Sequence, residues 1–289
     1  MPERPGATEL CLVVDDGVKL AGEDSDPARP ETPIVLLHGL TATRRYVVMG
    51  SRTLERAGHR VIAYDARGHG RSTAASDPKD YGYERLAADL EAVLDELGLE
   101  RAVLAGASMG AHTAVRFALR HPERVAALGL ITPSFDPGLP ADPGAFAGWD
   151  DLAQGLRERG VEGFVDAYDF SGLPVEWRET VEQVVRQRLA AHEHPQAVAD
   201  ALEVVPRSRP FEELGELAAI DVPTVVVASR DAADPGHPLA VGERYARAIP
   251  GARLVVEDAG VGGDPIRSPI AWQGGRLSKV LAELAIHAA

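Results

Sequence analysis

Six short apolar runs, spaced by helical patterns, limit this chain more than any other feature of it. They are PIVLLHG (33–39), RVIAYDARG (60–68), AVLAGASMG (102–110), VAALGLIT (125–132), PTVVVAS (223–229) and ARLVVED (252–258). Each is rich in Val, Ile, Leu and Ala and apolar on both faces, as strands buried inside a parallel sheet must be when helices cover both sides. The segment 83–97 repeats apolar residues at i, i+3, i+4 and i+7 and stops at Gly98, a helix with a glycine terminator. Further helical patterns follow the third run (109–121) and the fifth (238–249). Strand alternating with helix specifies a doubly wound α/β domain with a mostly parallel sheet. ELCLVV and VKLAGE, flanking Asp15–Asp16–Gly17, add an antiparallel hairpin at the N-terminus and bring the expected sheet to about eight strands.

One interval breaks the alternation. From 135 to 221 there is no strand pattern; Pro and Gly cluster first, and helical patterns follow at 151–168, 174–192 and 195–205. This predicts a helical cap inserted between core segments 1–134 and 222–289, lying over the carboxyl edge of the sheet, where open α/β sheets bind ligands. The cap aromatics Phe146, Trp149, Phe164, Tyr168, Phe170 and Trp177 serve as a pocket lining, as the cap's own core, or as both.

Composition sets limits on partners. A net charge of −14 argues against nucleic acid and against an anionic membrane surface. No apolar run approaches the roughly 18 residues that span a bilayer, and MPERPGATEL lacks the apolar stretch of a signal peptide. A single cysteine, Cys11, expected to be buried at a strand edge, allows no internal disulfide and favours a reducing cytoplasm. His192-x-His194 lacks a third ligand nearby, so no metal is expected, and no phosphate or dinucleotide fingerprint follows a strand, so no cofactor is expected. The expected partner is a small-molecule substrate; a homodimer is left open.

GASMG (106–110) carries the chemistry. A Gly-x-Ser-x-Gly between an apolar strand and a helix is a nucleophile elbow, in which the chain turns so sharply that only glycine fits at 106 and 110 and Ser108 projects its hydroxyl. LLHGLTAT (36–43) ends the first core strand with His-Gly, and YDARGHGRS (64–72) follows the next. With these three motifs the sequence resembles the α/β-hydrolase superfamily of lid-bearing esterases, lactonases, C–C hydrolases and haloperoxidase-like enzymes, from about residue 10 to 285. The resemblance implies Ser108 as nucleophile and the backbone amides of Leu40 and Met109 as oxyanion hole. It implies a scaffold role for the loop containing Asp65, Arg67, Gly68, His69, Gly70 and Ser72.

The resemblance also implies an acid after the strand TVVVAS and a histidine after the last strand. RDAADPGHP offers two acids: counting forward favours Asp231, counting back from Asp-x-x-x-Pro favours Asp234. The histidine is missing. After Asp258–Ala259–Gly260 comes Val261, and no histidine occurs in 253–275. A serine hydroxyl needs a positioned base. His38, His59, His121 and His287 sit at strand ends, turns or the last helix; His192 and His194 are expected in solvent at a cap helix end; His112, one turn after Ser108, is a secondary candidate. His237, on the acid's own loop, is the residue expected to substitute. The resulting expectation is a cofactor-free serine hydrolase of a small, moderately apolar ester, lactone or related carbonyl compound. A lyase or isomerase on the same scaffold, and a binding or sensor protein with a degraded triad, stand as alternatives.

Overall fold

The computed structural model describes residues 7–29, 31–139, 143–230, 234–257 and 269–287. Its sheet has eight strands: β1 (Thr8–Val13), β2 (Lys19–Asp24), β3 (Ile34–Leu37), β4 (Val61–Tyr64), β5 (Ala102–Ala107), β6 (Val125–Ile131), β7 (Thr224–Ala228) and β8 (Arg253–Val256). They lie in the order β1-β2-β4-β3-β5-β6-β7-β8. β1 and β2 form the antiparallel hairpin, turned at Gly17 with φ 83°, and β2 joins the sheet antiparallel to β4. The remaining pairings are parallel.

Every residue of β3, β4, β6 and β7 is buried, because the helices form two further layers. On one face α2 (Tyr83–Glu96), α3 (Met109–Arg120) and α7 (Leu239–Ala248) place Leu90, Val93, Val115, Phe117, Val241 and Tyr245 against the sheet. On the other, α1 (Thr53–Arg56) and α8 (Gly274–Ile286) contribute Leu54, Leu277, Leu281 and Leu284. Burial of such side chains contributes about 1.5–3 kcal/mol each, which is what holds the layers together. Cys11 departs from expectation: it is exposed on β1, an edge strand whose outer residues have no layer above them.

Between β6 and β7 lie α4 (Pro143–Ala167), α5 (Val175–Leu189) and α6 (Pro195–Val204), with no strand among the described residues of 135–221. α4 breaks at Gly160 (φ 63°), and its halves fold back so closely that a Cβ on Gly155 would lie 2.3 Å from the Gly163 carbonyl oxygen. Phe164, Leu156, Val198 and Leu202 form the centre of this helical layer, and its cluster extends without interruption onto Leu40 and Met109 of the sheet's carboxyl edge.

Candidate active site

Ser108 stands where β5 passes into α3 with φ 51° and ψ −112°, a conformation that L-residues avoid and that marks a strained turn. The flanking glycines make it possible. A Cβ on Gly106 would meet Gly110 C and O at 2.2 Å, and one on Gly110 would meet the Leu37 carbonyl oxygen at 2.1 Å. The elbow is tied to β6 by the Ser108 amide, which donates to Ile131 O at 2.9 Å.

β7 ends two strands away, at a separation of about 10 Å that side chains must bridge. The loop leaving it does so with a single turn: the His237 amide donates to Asp234 O at 3.0 Å. That turn brings the Asp234 Oδ1 to 2.9 Å from His237 Nδ1 and points His237 Nε2 at Ser108 Oγ, also 2.9 Å away. With Nδ1–H donating to the carboxylate, Nε2 carries the lone pair that faces the Ser108 hydroxyl as a hydrogen-bond acceptor. Both members of the pair are sheltered, their side chains 16% and 26% exposed for Asp234 and His237. Asp231 and the segment 258–268, where the resemblance implies a histidine, lie outside the described residues. Beyond that segment, Trp272 meets Trp177 of α5 edge to face, ring centres 5.8 Å apart.

His112 is not available to the serine. Its Nε2 accepts the amides of Ser134 and Phe135, each at 3.1 Å, and its Nδ1 lies 2.9 Å from the Tyr83 hydroxyl. Burial pulls its pKa down to about 3, so it is a neutral anchor for the chain leaving β6.

The His-Gly loop after β3 reaches the serine from the other side, and a Cβ on Gly39 would lie 3.6 Å from the Ser108 Cβ. Leu40 and Met109 are buried here, and among the described residues neither amide has a hydrogen-bond acceptor. The carbonyls of Gly39, Leu40 and Thr41, by contrast, are engaged. His38 Nδ1 lies 2.8 Å from Gly39 O, with its Nε2 accepting the Ala66 amide. His69 sits between Leu40 O and Arg67 O. Thr41 O faces His192 Nε2 at 3.2 Å. His192 therefore corrects the sequence reading: it is buried rather than solvated, with its Nδ1 accepting the Gly70 amide at 2.8 Å. Nothing in HEH marks it, since its partners are 122 and 151 residues away.

The scaffold loop is an ion-pair hub. Arg67, fully buried, binds Asp89 through two nitrogens (2.7 and 2.6 Å) and Asp16 at 2.8 Å. Asp65 accepts the Arg44 amide at 2.8 Å and the Arg71 amide at 3.1 Å. Gly70 must be glycine, because a Cβ there would lie 2.2 Å from the Asp65 carboxylate. Burial lowers His38 to about 3, a charge on His69 acting the same way, and lowers His192 to about 3 for the same reasons. One cation overhangs the site. Arg188, at the end of α5, donates to Thr41 Oγ1 at 2.7 Å and faces the Tyr46 ring, and burial depresses its pKa while Tyr46, Tyr168 and Asp234 offset the effect. Its buried Nε has no partner among the described residues. No cluster of His, Cys, Asp or Glu that could hold a metal occurs among the described residues, nor any helix long and apolar enough to cross a membrane.

An open, mostly parallel eight-stranded sheet with a serine at the β5 elbow defines a class, and the family model for the alpha/beta hydrolase fold matches residues 32–260. The chain belongs to the α/β hydrolase family. Its relatives include hydrolases: it is 34% identical to the 2-hydroxy-6-oxononadienedioate/2-hydroxy-6-oxononatrienedioate hydrolase 2 of Pseudomonas putida, over 77% of this chain and 78% of that one. Among solved structures it is similar to a thermophilic esterase from Thermogutta terrifontis (TM-score 0.75, 25% identity, 98% of both chains). It is also similar to the enol-lactonase from Burkholderia xenovorans LB400 (TM-score 0.70, 25% identity, 96% of this chain and 99% of that one).

Proposed function

We propose that this hydrolase uses Ser108 as its nucleophile, His237 as general base and Asp234 as the acid that orients it. Its substrate is a small, moderately apolar ester, lactone or related carbonyl compound, and it works through an acyl-enzyme without a cofactor. The observation that carries this reading is the unbroken chain from Asp234 Oδ1 through the His237 ring to Ser108 Oγ, both links 2.9 Å. Ser108 Oγ attacks the carbonyl carbon as its proton passes to His237 Nε2. The carbonyl oxygen becomes an oxyanion held by the amides of Leu40 and Met109, where one such donor is worth about 3 kcal/mol of barrier. The imidazolium, stabilised by Asp234, returns the proton to the leaving oxygen, and the acyl group stays on Ser108. Water then repeats the sequence: His237 takes its proton, the oxyanion re-forms, and collapse releases the acid and restores the serine.

The Arg188 guanidinium favours one class of substrate within this range, one with a carboxylate remote from the scissile bond. It has no carboxylate within ion-pair distance among the described residues, and the Pseudomonas putida relative is named for a dicarboxylic substrate. The test is a panel of p-nitrophenyl esters, with and without a distal carboxylate, together with a fluorophosphonate probe. Labelling of Ser108 and a loss of turnover of about 10⁴-fold or more in Ser108→Ala, with the fold intact, are expected. Unchanged turnover in that variant would sink the reading.

A further inference from the structure

The cap holds the loop that carries one oxyanion donor, and it does so through a histidine. Thr41 follows Leu40 directly. Its carbonyl oxygen lies 3.2 Å from His192 Nε2 and its hydroxyl 2.7 Å from Arg188 Nη2. His192 lies in the turn between α5 and α6, and Arg188 in the last turn of α5. The imidazole's proton is placed without ambiguity: because the Gly70 amide donates to Nδ1 at 2.8 Å, Nδ1 must carry a lone pair, and the one N–H is on Nε2, facing Thr41 O. The same turn closes on Gly70 a second time, the Glu193 amide donating to Gly70 O at 2.8 Å. His192 thus joins two core loops, 39–43 and 65–72, that have no sequence proximity to the cap.

The consequence for Leu40 follows from peptide geometry. In a trans peptide the N–H points opposite to the C=O of the same plane. The Gly39 carbonyl is turned inward, accepting the Ala42 amide at 2.9 Å and facing His38 Nδ1, so the Leu40 N–H of that peptide is turned outward. This turn spans Gly39–Ala42, and Thr41 is its outer corner. A corner free to rotate would let the Gly39–Leu40 plane rock; a donor on Thr41 O and a donor on Thr41 Oγ1 stop it.

We propose that His192 is a positioning residue for the oxyanion hole: a neutral imidazole, brought by the cap, that fixes Thr41 and thereby the direction of the Leu40 N–H. The proposal rests on the reading of Leu40 as an oxyanion donor, and makes the hole competent only when the cap is seated. The experiment compares His192→Ala, His192→Gln and His192→Asn. The glutamine amide nitrogen falls where Nε2 was and keeps the donor to Thr41 O; the asparagine oxygen falls where Nδ1 was and keeps only the acceptor for Gly70. His192→Ala is expected to lose about tenfold in kcat on a p-nitrophenyl ester with KM little changed, since the donor is loosened and not removed. His192→Gln should restore most of that loss and His192→Asn little of it. Full kcat in His192→Ala, or rescue by asparagine as good as by glutamine, would overturn the proposal and leave His192 a mere peg for Gly70. Hydrogen exchange of residues 40–43 gives an answer independent of turnover: it should quicken about tenfold in His192→Ala, the scale of one buried hydrogen bond. Unchanged exchange overturns the brace even if the wild-type protein hydrolyses no ester, an outcome that would count separately against the hydrolase reading.

Discussion

The two halves of the site are built on opposite principles. The serine half is a strand, an elbow and a helix locked by contacts that leave no room for a methyl group at Gly106 or Gly110. The half carrying Asp234 and His237 is one turn of a surface loop, closed by one backbone hydrogen bond, with an exposed Gly236 between its two functional side chains. A nucleophile that must project from a strained backbone can stand in few places. An imidazole needs only to arrive within about 3 Å of the oxygen, and any loop on that edge of the sheet can deliver it.

The largest expected effect is therefore on the rigid side. Gly106→Ala should destabilise the protein by more than about 3 kcal/mol, since its Cβ would overlap backbone and not a movable side chain. A melting temperature within a few degrees of wild type would show that the elbow is softer than its contacts imply. On the loop side the effect is on chemistry alone. His237→Ala should lower ester turnover by at least about a hundredfold, the scale of general-base loss, with an unchanged unfolding midpoint in denaturant. Undiminished turnover would mean that the base comes from elsewhere.

Acid should act on the buried histidines around the site. His38, His112 and His192 each have a native pKa near 3, with burial as the leading cause, against about 6.5 when exposed. Between those values the unfolded chain binds protons that the folded chain does not, so stability is full above about pH 6.5 and falls as pH drops toward 3. The slope approaches about 1.4 kcal/mol per pH unit for each histidine. Denaturant titrations between pH 7 and 4 would measure it, and a flat profile would contradict the buried neutral state. The smallest effect belongs to Gly236→Ala, which should stay within about 0.5 kcal/mol of wild type, because nothing lies within 4 Å of its added Cβ and its φ is not positive.

What could be read from the chain divides along the same line. The core strands declare themselves because burial on both faces demands continuous apolar runs, and the elbow does so because sterics dictate glycine at fixed spacing. His237 could be reached by elimination, being the imidazole closest in sequence to an acid on the right edge. Which acid pairs with it depends on the turn 234–237, a matter of loop register that residue types do not encode. His192 was hidden for another reason: a histidine three residues beyond a polar helix end looks like any solvated one, and only tertiary contact with Thr41 and Gly70 buries it. Cys11 errs in the opposite sense, an apolar-looking position on a strand that has no neighbour on one side.

Asp234 and His237 share one turn, so the proposed acid and base form a cassette. In an arrangement that draws its acid and base from separate loops, two insertions must keep register with the serine at once. Here a drift of the turn 234–237 would carry the imidazole and its carboxylate together, keeping their mutual bond while changing only their reach to Ser108. The same compactness would make the proposed relay portable: a graft carrying the turn 234–237 would transfer acid and base in a single step to another sheet of this topology.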